Sequence, residues 1–285
     1  MNTKKNKNIW VGKVIDNLRM GGRSERTIEN YISAINRFLD YYDTSIDISS
    51  LDESNIIDYI KKQFIEKNKS TNTYNMNICA IKLLYIVCFN KSLSNKLLPR
   101  AKTLSKIPSI IDKDKFLEIV NGESNTKYKC WLLLAYCSGL RVEEVAKVKI
   151  QHINAKNHKL KVIGKRKKER YTVLPDIAIK FLRLYYKESN MTKKKGYLFE
   201  GTSKKEHCSS KAISNYFNDV VCLKYNLSDD ITFHSLRHSF ATNFIKSGGD
   251  LFVLKSMLGH SKINTTSIYI HIARDFNSLV GAKNE

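Results

Sequence analysis

The sequence predicts a mainly α-helical chain with a small β-sheet, divided into two domains. Three observations carry this reading. Apolar residues recur at helical spacing between capping residues through most of the 285 positions. Two short strand-like runs flank Gly164, and an aperiodic polar segment holding Pro99 and Pro108, two of the three prolines, interrupts the chain near residue 100.

In the first hundred residues, a helix over Trp10 to Met20 stops at Gly21-Gly22. Ser24 caps a second through about Tyr42, with Ile28, Tyr31, Ile32, Ile35 and Leu39 on one stripe. Ser54 is the expected cap of a third over Ile56 to Lys67, and Ser70-Thr71 opens a fourth carrying Ile78, Ile81, Leu84, Tyr85 and Cys88. Residues 1–98 therefore read as a four-helix domain, 99–111 as a linker, and 112–285 as a second domain with a C-terminal tail. Asp112 opens that second domain. A helix near Lys129 to Cys137 breaks at Ser138-Gly139, and another begins at about Arg141. Lys159–Ile163 and Arg170–Leu174 read as strands of a basic hairpin. Helices return over Pro175 to Glu188, Ser209 to Tyr225, His234 to Ser247, Asp250 to Leu258, and from Asn264, and no internal repeat is visible.

Composition sets the partner. With 49 Lys+Arg against 27 Asp+Glu the formal net charge is +22, and the excess is +6 in residues 1–100 but +16 in 101–285. Such an excess favours nucleic acid, whose counterions are released when phosphates are neutralised. A hydrophobic content of 42% rules out a wholly disordered basic tail. The longest apolar runs, Leu83 to Phe89 and Trp131 to Cys137, fall far short of the roughly 18 residues of a membrane span. Met1 to Asn8 is charged and the apolar stretch after it is too short for a signal peptide, so a soluble cytoplasmic protein with no membrane partner is expected. None of the six cysteines forms a C-x-x-C pair, which favours core thiols over disulfides or zinc.

The chemistry-bearing residues lie in the second domain. His234 and Arg237, three apart, share a helix face opposite Leu236, Phe240, Ala241 and Phe244. Glycines then punctuate the chain: Gly248-Gly249 stops that helix, Leu258-Gly259-His260-Ser261 stops the next, and Tyr269 follows nine residues after His260. Upstream, Arg141 stands at a helix start, where backbone amides also favour an anion, and the hairpin supplies Lys165. These are the parts of a metal-free phosphodiester transfer. Two arginine forks neutralise a pentacoordinate phosphate, a tyrosine oxygen attacks, and His with Lys moves protons. No zinc motif, paired acidic cluster or phosphate-cradling glycine loop is visible, so neither metal nor cofactor is expected.

In order, spacing and flanking residues, four segments resemble the tyrosine recombinases of the phage integrase family, close in size and plan to the Xer type. They are Gly139-Leu140-Arg141-x-x-Glu144, Val162-Ile163-Gly164-Lys165-x-x-Lys168-Glu169-Arg170, His234-x-Leu236-Arg237-His238-x-Phe240-Ala241-Thr242, and Leu258-Gly259-His260-Ser261-x-x-x-Thr265-Thr266-x-x-Tyr269. The likeness is strong over about 110–275 and looser in the first hundred residues, through Ser24-x-x-Thr27-x-x-x-Tyr31 and Phe38-x-x-Tyr41. It implies a helical, SAM-like core-DNA-binding domain followed by a mixed α+β catalytic domain.

By the same resemblance, Tyr269 is the nucleophile, forming a 3′-phosphotyrosine and freeing a 5′-hydroxyl. Arg141 and Arg237 bind the non-bridging oxygens, and Lys165 protonates the leaving oxygen. His234 is the general base or proton shuttle, His260 donates a hydrogen bond to the phosphate, and Glu144 orients the active-site helix. Many relatives have Gly where this chain has Arg166, which keeps Lys167 and Lys168 as alternatives to Lys165. His238 and His271 are taken as structural. The implied reaction is strand exchange between two specific double-stranded DNA sites through a Holliday junction, by a homotetramer or by a heterotetramer with a second recombinase, in a bacterial, nucleoid-associated setting. The tail after Tyr269, with Phe276, Leu279 and Val280, is expected to pack on a neighbouring subunit. A type IB topoisomerase-like enzyme and a non-catalytic DNA-binding regulator stand as the rival readings. Chromosome-dimer resolution, plasmid or transposon resolution and mobile-element integration all remain open.

Overall fold

In the computed structural model, residues 3–42, 46–102, 107–164, 168–203, 206–260 and 265–270 are described. The chain divides into two compact units, Met1–Ser105 and Lys106–Glu285.

The first unit holds α1 (Thr3–Met20), α2 (Glu25–Tyr41), α3 (Glu53–Ile60) and α4 (Thr71–Phe89). Ser24 and Ser70 cap α2 and α4 by accepting the backbone N–H three residues on. The cap of α3 is not Ser54. Asp52 accepts the Asn55 amide, while the Asn55 side chain accepts the Asp52 N–H, a reciprocal box that starts the helix two residues earlier. Its end is also different: a π-helical turn, Lys61–Ile65, continues it. Ile35, Phe38, Ile56, Ile78, Ile81, Leu84 and Tyr85 form the core. Polar side chains of α4 hold the segment after it: Asn75 exchanges two hydrogen bonds with the Ala101 backbone at 2.9 and 2.8 Å, and Tyr74 donates to the Pro99 carbonyl.

The second unit is built around α6 (Thr126–Ser138). Every residue from Cys130 to Tyr136 is buried, so the helix is apolar all round and occupies the centre of the unit. Around it lie α5 (Lys113–Asn121), α7 (Val142–Ala146), α8 (Asp176–Glu188), α9 (Ser210–Tyr216), α10 (Phe233–Lys246) and α11 (Leu251–Leu258), and residues 265–270 are helical. The sheet has three antiparallel strands, β1 (Ile153–Asn154), β2 (Lys159–Ile163) and β3 (Glu169–Val173), with Leu160 opposite Thr172. The sequence offers no strand signal for β1, a two-residue edge strand. A π-helical turn, Phe217–Cys222, follows α9 where one continuous helix is expected from the sequence. Asp112 caps α5 and Asp250 caps α11.

Gly139 ends α6 in the left-handed region at φ +66°, and a Cβ there would stand 2.5 Å from the Phe240 ring and 3.0 Å from Leu258. The close approach lets the end of α6 meet α10 and α11. All six cysteines are free thiols. Among the described residues, no helix is long and apolar enough to cross a membrane, and no group of three His, Cys, Asp or Glu side chains is placed to hold a metal ion.

Candidate active site

Five chain segments bring their polar groups to one place, and Glu144 is the centre of it. The N-terminus of α7 carries Arg141 as its cap and Glu144 in its first turn. The Glu144 carboxylate accepts the Arg141 backbone N–H at 2.8 Å and the Arg141 guanidinium at 3.0 Å. From β3, Arg170 donates to both carboxylate oxygens at 2.8 Å, a bidentate fork, and Arg237 of α10 stands 3.6 Å away. Burial alone would raise the Glu144 pKa. The Arg170 hydrogen bonds and charge, the Arg141 amide and the Arg237 charge outweigh it and hold the carboxyl down at about 2.

Arg237 is the largest fully buried side chain, 1% exposed. Its two terminal nitrogens are pinned to backbone carbonyls, Gly139 at 2.6 Å and Leu258 at 2.7 Å. The Leu258 carbonyl also accepts from Arg141 at 3.4 Å, so the C-terminal end of α11, the negative end of its dipole, gathers both guanidiniums. Burial and the neighbouring Arg141 push the Arg237 pKa down to about 9. Arg141 remains half-buried, its side chain 36% exposed.

Gly259, left-handed at φ +66°, turns the chain out of α11 and presents His260; a Cβ there would press on Arg170 at 2.9 Å. Arginine can only donate, so His260 Nε2, 3.1 Å from Arg237, accepts, and its proton sits on Nδ1, donated to Thr266 Oγ1 at 2.9 Å. Burial, then Arg237 and Arg141, push the imidazole down to about 3, which keeps it neutral. A hydrogen bond from His260 to a phosphate therefore requires Nε2 to exchange its Arg237 contact for a proton.

Tyr269 is 2% exposed, packed with Phe240, Ala241, Leu254, Met257 and Leu258. Its hydroxyl lies 2.8 Å from His238 Nδ1. Burial raises the phenol pKa, with Arg237 and Arg141 pulling the other way. His234, in the first turn of α10, stands at the exposed edge with its ring edge-on to His238 at 4.6 Å; reduced access to water and the charges of Arg237 and Arg141 lower its pKa.

The structure thus gathers Arg141, Glu144, His234, Arg237, His260 and Tyr269. Lys165, its alternative Lys167, His271 and the tail lie outside the described residues, while Lys168 is exposed on the hairpin. Two side chains enter that the sequence does not assign. Arg170 stands inside the hairpin motif but its partner is 26 positions away. His238, taken from the sequence as structural, contacts the Tyr269 hydroxyl; its sequence signals are its helical spacing from His234 and its place in the segment His234-x-Leu236-Arg237-His238.

The family model described as "Phage integrase family" matches residues 107–275, and "Phage integrase, N-terminal SAM-like domain" matches 10–94. This chain belongs to the phage integrase family. It is a tyrosine recombinase, an enzyme that cleaves and rejoins DNA. Among curated relatives, tyrosine recombinase XerD of Staphylococcus epidermidis is 27% identical over 271 residues, covering 89% of this chain and 90% of that one. XerD of Staphylococcus aureus is 28% identical over 267 residues with the same coverage. Solved structures share the fold at lower identity. A lambda integrase(75-356) dimer bound to a COC′ core site superposes with TM-score 0.72 at 18% identity, covering 92% of this recombinase and 94% of that chain. The XerH recombinase bound to palindromic difH substrate, a post-cleavage complex, gives 0.71 at 20%, covering 90% and 79%.

Proposed function

We propose that this recombinase cuts double-stranded DNA at a specific site through a 3′-phosphotyrosine on Tyr269 and exchanges strands through a Holliday junction, as a homotetramer or with a second recombinase. The observation that carries the reading is the convergence of two arginines, Arg141 and Arg237, on one helix end that also presents His260, with the Tyr269 hydroxyl held against the same helix that carries Arg237. In this reading the scissile phosphate takes over the exposed donors of Arg141 and the Arg237 donor that faces His260, and the phenol attacks in line. Lys165 delivers a proton to the leaving 5′ oxygen. The phosphotyrosine conserves the energy of the broken bond, so rejoining needs no separate energy source. Residues 1–98 and 112–285, joined through 99–111, each contact the DNA, and the +22 charge supplies backbone affinity.

Support for a DNA partner comes from the lambda integrase and XerH structures, both captured on DNA sites. The experiment is to map covalent cleavage on a library that includes the DNA flanking the gene, then compare wild type with Tyr269→Phe on a nicked suicide oligonucleotide carrying the mapped site. The variant binds this DNA and forms no adduct. An adduct surviving in Tyr269→Phe overturns the assignment.

A further inference from the structure

We propose that His238, not His234, is the side chain that takes the proton from the Tyr269 hydroxyl as it attacks. This deepens the reading of Tyr269 as nucleophile and rests on it. Three geometric observations lead here. His238 Nδ1 stands 2.8 Å from the Tyr269 oxygen, the distance of a formed hydrogen bond. Tyr269 is 2% exposed, so bulk water has little access to the phenol and the proton needs a partner inside the fold. His234 and His238 are one helical turn apart on α10, their rings edge-on at 4.6 Å, with His234 at the exposed edge. The two imidazoles thus form a short file, with His238 against the nucleophile and His234 beyond it.

The protonation state fits this task. Burial, then the charges of His234 and Arg237, push His238 down to about 4, so at neutral pH the ring is uncharged and Nδ1 is free to accept the phenolic proton. A base this weak does not ionise a buried phenol at rest. The transfer runs with the bond-making instead: the Tyr269 oxygen forms its bond to phosphorus, its O–H breaks and the proton moves to Nδ1, while the phosphorus–O5′ bond breaks and O5′ takes its proton separately, from Lys165. The anionic phosphate arriving beside Arg237 offsets the part of the lowering that the Arg237 charge contributes, which makes the ring a better base at the moment it is used. Rejoining returns the proton to the departing phenolate.

The test uses the full chain with substitutions His238→Ala, His238→Asn and Lys165→Ala on the mapped nicked substrate. A second version of that substrate carries sulfur in place of the bridging 5′ oxygen, and a thiolate leaves without needing a proton. His238→Asn keeps a hydrogen-bonding group near the Nδ1 position but cannot accept a proton. Adduct formation is expected to slow about 100-fold or more in both His238 variants, on the oxygen and the sulfur substrate alike. Sulfur restores Lys165→Ala. DNA binding, followed by gel shift, and the circular dichroism spectrum separate a misfolded Ala variant from a chemical defect; the Asn variant then decides alone. Near-wild-type rates in His238→Asn, or rescue of either His238 variant by sulfur, overturn the proposal. An adduct in Tyr269→Phe would instead remove the reading on which it stands.

Discussion

Replacing Glu144 by Gln tests whether the four-residue charge network is held by this carboxylate. Glu144 faces three guanidiniums, two of them at 2.8 to 3.0 Å, and is 8% exposed. Its pKa falls from the 4.5 of a free glutamate to about 2. At about 1.4 kcal/mol per unit, the ionised form stabilises the folded unit by about 3 kcal/mol. The figure sits at the lower edge of the roughly 3–5 kcal/mol lost when one partner of a buried ion pair is removed. Because the folded pKa lies below the unfolded one, this contribution is complete above about pH 5 and disappears as the pH falls through about 2. Glutamine has nearly the shape of the protonated acid, so the deficit of Glu144→Gln should be about 3 kcal/mol at pH 7, shrink between pH 5 and 2, and vanish below. The assay is urea unfolding read from Trp131, 3% exposed in the core of the second unit, with Trp10→Phe to silence the first. With a slope of about 2 kcal/mol per molar urea, the midpoint shifts by about 1.5 M at neutral pH. A deficit under about 1 kcal/mol at pH 7, or one that does not change with pH, refutes the reasoning.

Gly139→Ala should destabilise the second unit by about 2–4 kcal/mol in the same assay, from left-handed strain together with overpacking against Phe240. It should also slow adduct formation, since the Gly139 carbonyl anchors Arg237. Increasing salt from 50 to 200 mM should weaken DNA binding by about 10³-fold or more if six or more phosphates are neutralised. Arg237→Lys should leave the slope of that salt dependence unchanged, because the positive charge is kept, yet reduce adduct formation at least 100-fold, because an ammonium cannot hold the Gly139 and Leu258 carbonyls as a fork does. Equal losses of binding and adduct would contradict this division of the charge.

The sequence determined much of this protein locally. Ser24, Ser70, Asp112 and Asp250 start their helices because a capping side chain needs only the next three residues, and the apolar stripe of α2 needs only its own period. Where two caps competed, local pattern was not enough: Asp52 and Ser54 are both good caps, and the reciprocal bond with Asn55 decides for Asp52. The π-helical turns after α3 and α9 and the two-residue β1 are too short to leave a periodic signature in the sequence. The kinds of side chain in the candidate site, and their order, were likewise legible. Their wiring was not. Arg170 is tied to Glu144 across 26 residues only because the fold brings β3 to both the start of α7 and the end of α11, where Arg170 also donates to the Met257 carbonyl, and His238 meets Tyr269 across 31 only because residues 265–270 return to α10. Hydrogen bonds of this kind depend on ångström distances between elements that no spacing in the chain encodes, and burial shifts these groups only once the fold has closed around them.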